Sequence, residues 1–370
     1  MELAGSTAFL DPQLLGECAA QLAHVLVMAG DRVSAQHQYA QAARILQAAE
    51  DVSTLAKVQC DMALTYTVPP SAGVLGSPEV VAGEEGLQHV QASMAAREKA
   101  GHRLGIADCL RVEGTILCRR GDLQRGCRQL RQAMDRYKEI KLKLGVAETL
   151  MQLGFAHMNA PQGVVYFEQS LSIRREASDL AGEAQCLRAL GDLHTYLGNT
   201  RAAIKCWQDK LNLNRELGHH DAVKMCLEHL CALFTRVEEY ARVADCAQQL
   251  RDIAIQNEDV DGETKAMVLT GKSQLSMGNR LGALELLNEA LVKCQDDPVQ
   301  RSEQLLVREA EILDKLAQIH LANGDDALAR RELDALDKLK KKLGKDMLRG
   351  VVSESVHKRH LRRKIFSLMP

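Results

Sequence analysis

The residues best suited to chemistry lie together near the middle of the chain. Asp192 and His194 are two positions apart, and a carboxylate beside an imidazole is a pairing that general acid–base catalysis uses. Trp207, the only tryptophan, follows thirteen residues after His194 and could stack on a ligand. Whether these side chains form a site depends on whether the stretch that carries them occurs once or is repeated.

No other part of the sequence carries a recognisable catalytic or metal-binding motif. HExxH, GxxxxGK[ST], GxGxxG and GxSxG are all missing, and the adjacent His219 and His220 supply only half of a metal site. The 11 cysteines contain no CxxC pair, and their apolar surroundings are typical of small buried residues in a reducing compartment. We therefore expect no enzymatic activity, no bound metal and no cofactor.

The composition favours closely packed helices in a protein that does not bind nucleic acid. Hydrophobic residues make up 46% of the chain but aromatic residues only 3%, so the core is built from small and aliphatic side chains. The net charge of −2 argues against a nucleic-acid-binding protein. The first residues lack the features of a signal peptide, and no stretch is apolar enough to span a membrane. These features indicate a protein of the cytosol or nucleus, and we expect it in the cytoplasm.

The stretch around Asp192 is one copy of a repeat. Two amphipathic segments are joined by Gly-Asp or Gly-Asn, and a small residue follows the glycine by five positions. The pairs are Gly30 and Ala35, Gly121 and Gly126, Gly198 and Ala203, Gly278 and Ala283, and Gly324 and Ala329. The glycines are separated by 91, 77, 80 and 46 residues, which indicates a period near 40 with weaker copies between them. One such copy has Glu238 in the place of the glycine. The pattern predicts eight helical hairpins.

This pattern resembles the tetratricopeptide repeat, which has an apolar-glycine pair in its first helix, a turn glycine, and a small and then a large residue in its second helix. Leu190-Gly191, Gly198, Ala203 and Trp207 occupy those places in the fifth copy. The resemblance implies an all-α, right-handed α-solenoid, a superhelix of about eight hairpins lined by its first helices. The long repeat is similar to that of Pins/LGN-type, rapsyn-like and ciliary adaptors. It also implies that Asp192 faces the groove and that Trp207 lies in the core, so neither is expected to be catalytic.

The repeats divide the chain into three parts. An N-terminal segment covers residues 1–13, the repeat array covers 14–342, and a basic tail covers 343–370. Residues 68–83 contain two adjacent prolines and three glycines, and they predict a flexible loop inserted in the second hairpin.

The resemblance also indicates which residues face the groove. Counting from the glycine position of each first helix predicts a peptide-binding surface that includes Arg111, Thr115, Met151, Phe155, Arg188, Asp192, Glu228 and Lys272. The lysines and asparagines with which some of these domains clamp a chaperone carboxy terminus are not found at these positions. A helical or extended peptide with apolar anchors suits this mixed lining better.

Two non-enzymatic functions follow from these features. The first is an adaptor that binds one or more partner proteins in its groove. The second is a structural subunit of a microtubule or ciliary complex, whose basic tail contacts an acidic surface such as that of tubulin. The tail cluster comprises Lys358, Arg359, Arg362, Arg363 and Lys364, followed by apolar residues. Nuclear import, an anionic membrane and a solvated tail are the other interpretations of that cluster.

Overall fold

The computed structural model describes residues 11–65, 79–295 and 302–343, and throughout these ranges the regular structure is α-helical. The sixteen helices are α1 (Pro12–Met28), α2 (Arg32–Ala48), α3 (Val52–Thr65), α4 (Glu79–Lys99), α5 (Arg103–Arg119), α6 (Leu123–Glu139), α7 (Lys143–Ala156), α8 (Pro161–Glu176), α9 (Leu180–Tyr196), α10 (Thr200–Glu216), α11 (His220–Arg236), α12 (Tyr240–Gln256), α13 (Val260–Ser276), α14 (Arg280–Gln295), α15 (Glu303–Asn323) and α16 (Asp326–Leu343). They form eight successive pairs, as the repeat predicts. We call the odd-numbered member of each pair the first helix and the even-numbered member the second helix.

The chain divides into two compact units. Unit 1 ends at Leu197 and unit 2 begins at Gly198, so the division falls in the turn between α9 and α10. Within each unit, helices pack chiefly on their neighbours in the sequence. Unit 1 is therefore a stack of α1 to α9 and unit 2 a stack of α10 to α16, and the predicted all-α solenoid fold is confirmed within each unit.

The Gly-Asp and Gly-Asn pairs each end one helix and begin the next. Gly30 adopts a left-handed φ of 85°, and the N–H groups of Gly30 and Asp31 donate to carbonyls in the last turn of α1. The carboxylate of Asp31 then accepts from the N–H of Ser34 and caps α2. Glu238, which stands in the place of a glycine, also has a left-handed φ of 60°. The turn is thus preserved without its usual residue.

Small side chains mark the close approaches between helices. A Cβ atom added to Gly126 would overlap the Cys118 sulfur and lie 2.8 Å from the carbonyl oxygen of Gly114, so α5 and α6 are in backbone contact there. Ala203 and Ala283, at the equivalent positions of other second helices, are fully buried. This confirms the predicted role of the residue five positions after the turn.

Three predicted boundaries change. Helix α1 begins at Pro12 and α16 ends at Leu343, so the array extends slightly beyond 14–342 at both ends. Residues 79–83, which we assigned to the insertion, belong to α4, because Pro69, Pro70 and Pro78 all precede that helix. The rest of the insertion, residues 1–10 and the tail beyond Leu343 lie outside the described residues. Within the described residues, no helix combines the length and apolarity needed to cross a bilayer.

Candidate binding face of the first helices

Ion pairs connect three successive first helices of unit 2. The ammonium of Lys265 on α13 lies 2.6 Å from the carboxylate of Glu228 on α11, and both side chains are about half-exposed. Lys224, one turn before Glu228, lies 2.9 Å from Asp259, the residue that caps α13. Glu228 was predicted to face the groove from its distance to the repeat glycine position. Its contact with Lys265 shows that it lies on the side of α11 that faces the next first helix, α13.

The same face continues from α13 to α15. Lys272 pairs with Glu311, whose other carboxylate oxygen lies 2.7 Å from the guanidinium of Arg308. Burial would raise the pKa of Glu311, but the two cations outweigh it and hold that pKa below its ordinary value. We call Glu228, Lys265, Lys272, Arg308 and Glu311 the ion-pair ladder.

The sequence analysis missed three of the five ladder residues, Lys265, Arg308 and Glu311. Lys265 and Glu311 each lie six positions before the repeat position of their helix, at Gly271 and Ala317, and were not considered. Two turns of an α-helix separate them from residues just beyond the glycine, so they lie on the same side. The sequence does contain a signal for these residues. Six positions before the repeat position, two successive first helices have residues of opposite charge, Lys265 and Glu311.

Two of the predicted groove residues of unit 1 are not accessible. Thr115 and Met151 are 4% and 3% exposed, so they belong to the interior and not to a peptide-binding surface. The thiol of Cys186 lies 3.3 Å from the sulfur of Met151. Met151 contacts Cys186 of the next first helix, α9, whereas the Thr115 hydroxyl donates to the Arg111 carbonyl of its own helix.

Arg111 has a structural partner in unit 1. Its guanidinium donates to the hydroxyl of Tyr137 at 3.4 Å, and that hydroxyl donates to Asp108 at 2.6 Å. Burial and then the nearby Asp108 carboxylate raise the pKa of Tyr137, while Arg111 opposes the shift. The tyrosine is therefore neutral and donates its proton to Asp108. The Arg111 guanidinium is thus hydrogen-bonded within the protein already, unlike an arginine that is free to bind a carboxylate of a partner.

The remaining predicted residues of unit 1 are accessible. Phe155 is 41% exposed, and its ring meets the buried ring of Phe167 edge-on with centroids 5.2 Å apart. Arg188 is exposed and Asp192 is half-buried. Phe155 is thus a partly exposed aromatic ring held by a core neighbour, which suits an apolar anchor point.

Asp192 and His194 do not form a dyad through the buried ring nitrogen of the histidine. The Nδ1 atom of His194 is buried and has no hydrogen-bond partner among the described residues, so Asp192 does not orient the ring through it. Burial lowers the pKa of His194, although Glu168 opposes the shift. Buried Trp207 stacks on His229, with ring centroids 3.9 Å apart, and is a core residue as predicted.

No group of metal ligands is assembled in the described parts of the chain. His219 and His220 lie where α11 begins, and the 11 cysteines are free thiols, most of them buried. The predicted tail cluster at Lys358, Arg359, Arg362, Arg363 and Lys364 lies outside the described residues.

Comparison with known proteins supports the fold only. No protein-family model matches the chain. No curated protein matches it either. A signal transduction ATPase with numerous domains from Pyrococcus horikoshii, which carries a tetratricopeptide repeat sensor, is similar in structure with a TM-score of 0.57 and 14% identity, covering 89% of this chain and 47% of that one. The chain therefore spans about half the length of that protein.

A second solved structure matches over its whole length. The apo form of RapI has a TM-score of 0.56 and 12% identity, with 92% of this chain and 100% of that chain covered. At such identities a likeness is evidence of architecture and not of function. Together with the helical pairs and turn glycines, it shows that the chain has a tetratricopeptide-repeat-like fold.

Proposed function

We propose that the chain is a non-enzymatic scaffold whose first-helix faces bind segments of partner proteins. The ion-pair ladder is the observation that carries this proposal. It gives three consecutive first helices of unit 2 one continuous polar face, and its lysines are between a third and a half exposed. Helical repeat arrays act through extended surfaces of this kind.

The ladder orders its charges before a partner arrives. Lys265 and Lys272 stand between acidic residues on α11 and α15, so their side chains have lost part of their rotamer freedom already. A partner segment with charges of alternating sign would meet fixed partners and would lose less entropy on binding. Charge pattern would then determine which segment binds.

Exchanging the two charges of one pair tests the proposal. In a Glu228→Lys/Lys265→Glu variant the intramolecular attraction remains, whereas the charges presented to a partner are reversed. The matched control is Arg136→Glu/Glu139→Arg, an exposed pair 3.2 Å apart on the second helix α6. Tagged wild type and both variants are purified from cell extract, and the co-purifying proteins are quantified by mass spectrometry.

We expect the Glu228/Lys265 exchange to lose a defined subset of partners that the control retains. Circular dichroism and melting temperature should be nearly unchanged in both variants, because each keeps its ion pair. Identical partner sets in all three proteins would reject the first-helix face as the binding surface.

The proposal also covers which kind of scaffold the chain is. The long repeat and the basic tail sequence support either a Pins/LGN-like or rapsyn-like cytoplasmic adaptor, or a subunit of a microtubule or ciliary complex. Tubulin or axonemal proteins among the partners would favour the second. Deleting residues 355–370 should then remove that association and leave the helical array folded, since α16 ends at Leu343.

A further inference from the structure

A surface pocket in unit 1 lies along a second helix. Its wall is one stripe of α6, and His157, which follows the end of α7, closes one side. The lining residues are Leu123, Gln124, Cys127, Arg128, Arg131, Gln132, Asp135 and His157. We call it the α6 pocket. None of these residues was singled out from the sequence, because α6 belongs to the second helices and the groove of such repeats is formed by first helices.

Two arginines in the α6 pocket differ from the other cations of the helix. Arg125 pairs with Asp122, Arg136 with Glu139, and Lys138 with Asp135 at 3.9 Å. Arg128 and Arg131 are exposed, and the described residues supply neither with an ion-pair partner.

The two guanidinium groups are placed to act together. Residues three apart lie on the same side of a helix, so Arg128 and Arg131 present two planar donor groups to one pocket. The apolar part of the lining is supplied by Leu123, which is 46% exposed, and by the thiol-bearing Cys127. The pocket therefore combines unpaired positive charge with a partly apolar floor.

We propose that the α6 pocket binds an acidic segment of a partner protein, with carboxylate side chains on Arg128 and Arg131 and an apolar side chain against Leu123. This surface is distinct from the first-helix face and does not depend on the function proposed for it. The scaffold then has a second binding surface, formed by a second helix.

The polar lining favours a peptide carboxylate over a phosphate group. Asp135 also lines the pocket, and its charge repels a phosphate dianion more strongly than a single carboxylate. The Nδ1 atom of His157 lies 2.8 Å from the carbonyl oxygen of Leu153 and must donate to it. In the neutral ring Nε2 is then an acceptor, which can receive a backbone N–H from a bound peptide.

Binding of a defined probe to the full chain tests the proposal. The probe is a fluorescein-labelled peptide of Glu-Glu-Leu-Gly repeats, followed by anisotropy at low and moderate salt. The test variant is Arg128→Gln/Arg131→Gln. The matched control is Arg125→Gln/Arg136→Gln, which removes the same charge from the same helix at two arginines that do not line the pocket.

We expect the test variant to bind at least about tenfold more weakly than wild type, as the loss of two charge-assisted hydrogen bonds implies. The control should stay within about threefold, since it changes only the long-range field that salt screens. A wild type that fails to bind the probe at low salt, or equal losses in the two variants, would overturn the proposal.

A gain of affinity separates binding from loss of fold. Asp135→Asn removes the one carboxylate of the pocket and should tighten probe binding by several-fold, an effect that partial unfolding does not produce. An unchanged or weaker affinity in this variant would contradict the assignment. If inorganic phosphate or a phosphoserine peptide displaced the probe more effectively than the unlabelled glutamate peptide, the site would be a phosphate site and the carboxylate assignment would be wrong.

Discussion

Gly278 and Glu238 occupy equivalent turns. Comparing them measures the free energy that a left-handed backbone conformation costs. Both follow the end of a first helix, with φ values of 85° and 60°. A side chain at Gly278 would meet no atom within 4 Å, so a substitution there changes only the backbone preference. The left-handed conformation costs an L-residue roughly 1–2 kcal/mol, and the flexibility of glycine in the unfolded chain offsets part of that.

We therefore expect opposite effects from two single substitutions. Gly278→Ala should destabilise the protein by roughly 1 kcal/mol, and Glu238→Gly should stabilise it by roughly 0.5–1 kcal/mol. Chemical denaturation of the two variants, followed by circular dichroism, measures both. The same sign for both substitutions would mean that side-chain contacts of Glu238, and not its backbone angle, determine its contribution.

Local residue roles could be predicted from sequence because their causes are local. A glycine followed by aspartate ends one helix and caps the next whatever surrounds it, so Gly30 and Asp31 were identified by type and spacing alone. The role of Arg111 could not be found in the same way. Its partner Tyr137 is on the next helix, and the sequence does not state which face of α6 turns towards α5.

Glu311 on α15 forms ion pairs with Lys272 of the neighbouring first helix and with Arg308 of its own helix. The Glu311 side chain is 10% exposed, so it is better shielded from water than most ion pairs on the protein. Its pKa lies below the ordinary 4.5 in the folded state, so its stabilising effect is present above that pH and is lost as the pH falls.

Glu311→Gln should accordingly destabilise the protein by about 1–3 kcal/mol at neutral pH, since it removes charge-assisted hydrogen bonds. The difference from wild type should shrink as the pH falls below the ordinary glutamate pKa of 4.5 and Glu311 takes up a proton. The matched control is Glu139→Gln, from an exposed pair with Arg136, which should change stability little at any pH. Melting curves of the three proteins across that range decide the matter, and a pH-independent effect of Glu311→Gln would rule out the carboxylate charge as its cause.

The positions of the helices could be predicted from the sequence. The surfaces that several helices form together could be predicted only in part. The 40-residue period gave eight pairs, because hydrophobic spacing and turn signals lie within each copy. Thr115 and Met151 are buried and not on the surface, because the rotation of a helix about its axis depends on its neighbours and is not contained in a single copy of the motif. The α6 pocket was missed for a different reason. Ion pairs occupy the other cations of α6 but not Arg128 and Arg131, and this difference is visible only in the structure.

Each of the two units has apolar clusters of its own. Leu130, fully buried, packs in a cluster with Cys127 and Leu153 in unit 1. Leu230 packs in a separate cluster with Trp207 and Phe234 in unit 2. In a stack of repeats each pair is stabilised by its neighbours, so a local loss of packing weakens nearby helices and fades with distance along the array.

Core truncations in the two units should therefore act locally. Leu130→Ala and Leu230→Ala each remove buried methyl groups and should cost about 2–5 kcal/mol in the unit that contains them. Amide hydrogen exchange measured by mass spectrometry locates that loss. In Leu130→Ala we expect faster exchange in α5 to α8 and unchanged exchange in α15 and α16. In Leu230→Ala we expect faster exchange in α10 to α13 and unchanged exchange in α1 and α2. If either substitution accelerated exchange equally in both units, the chain would unfold as one cooperative body, and the division at Leu197 would have no energetic meaning.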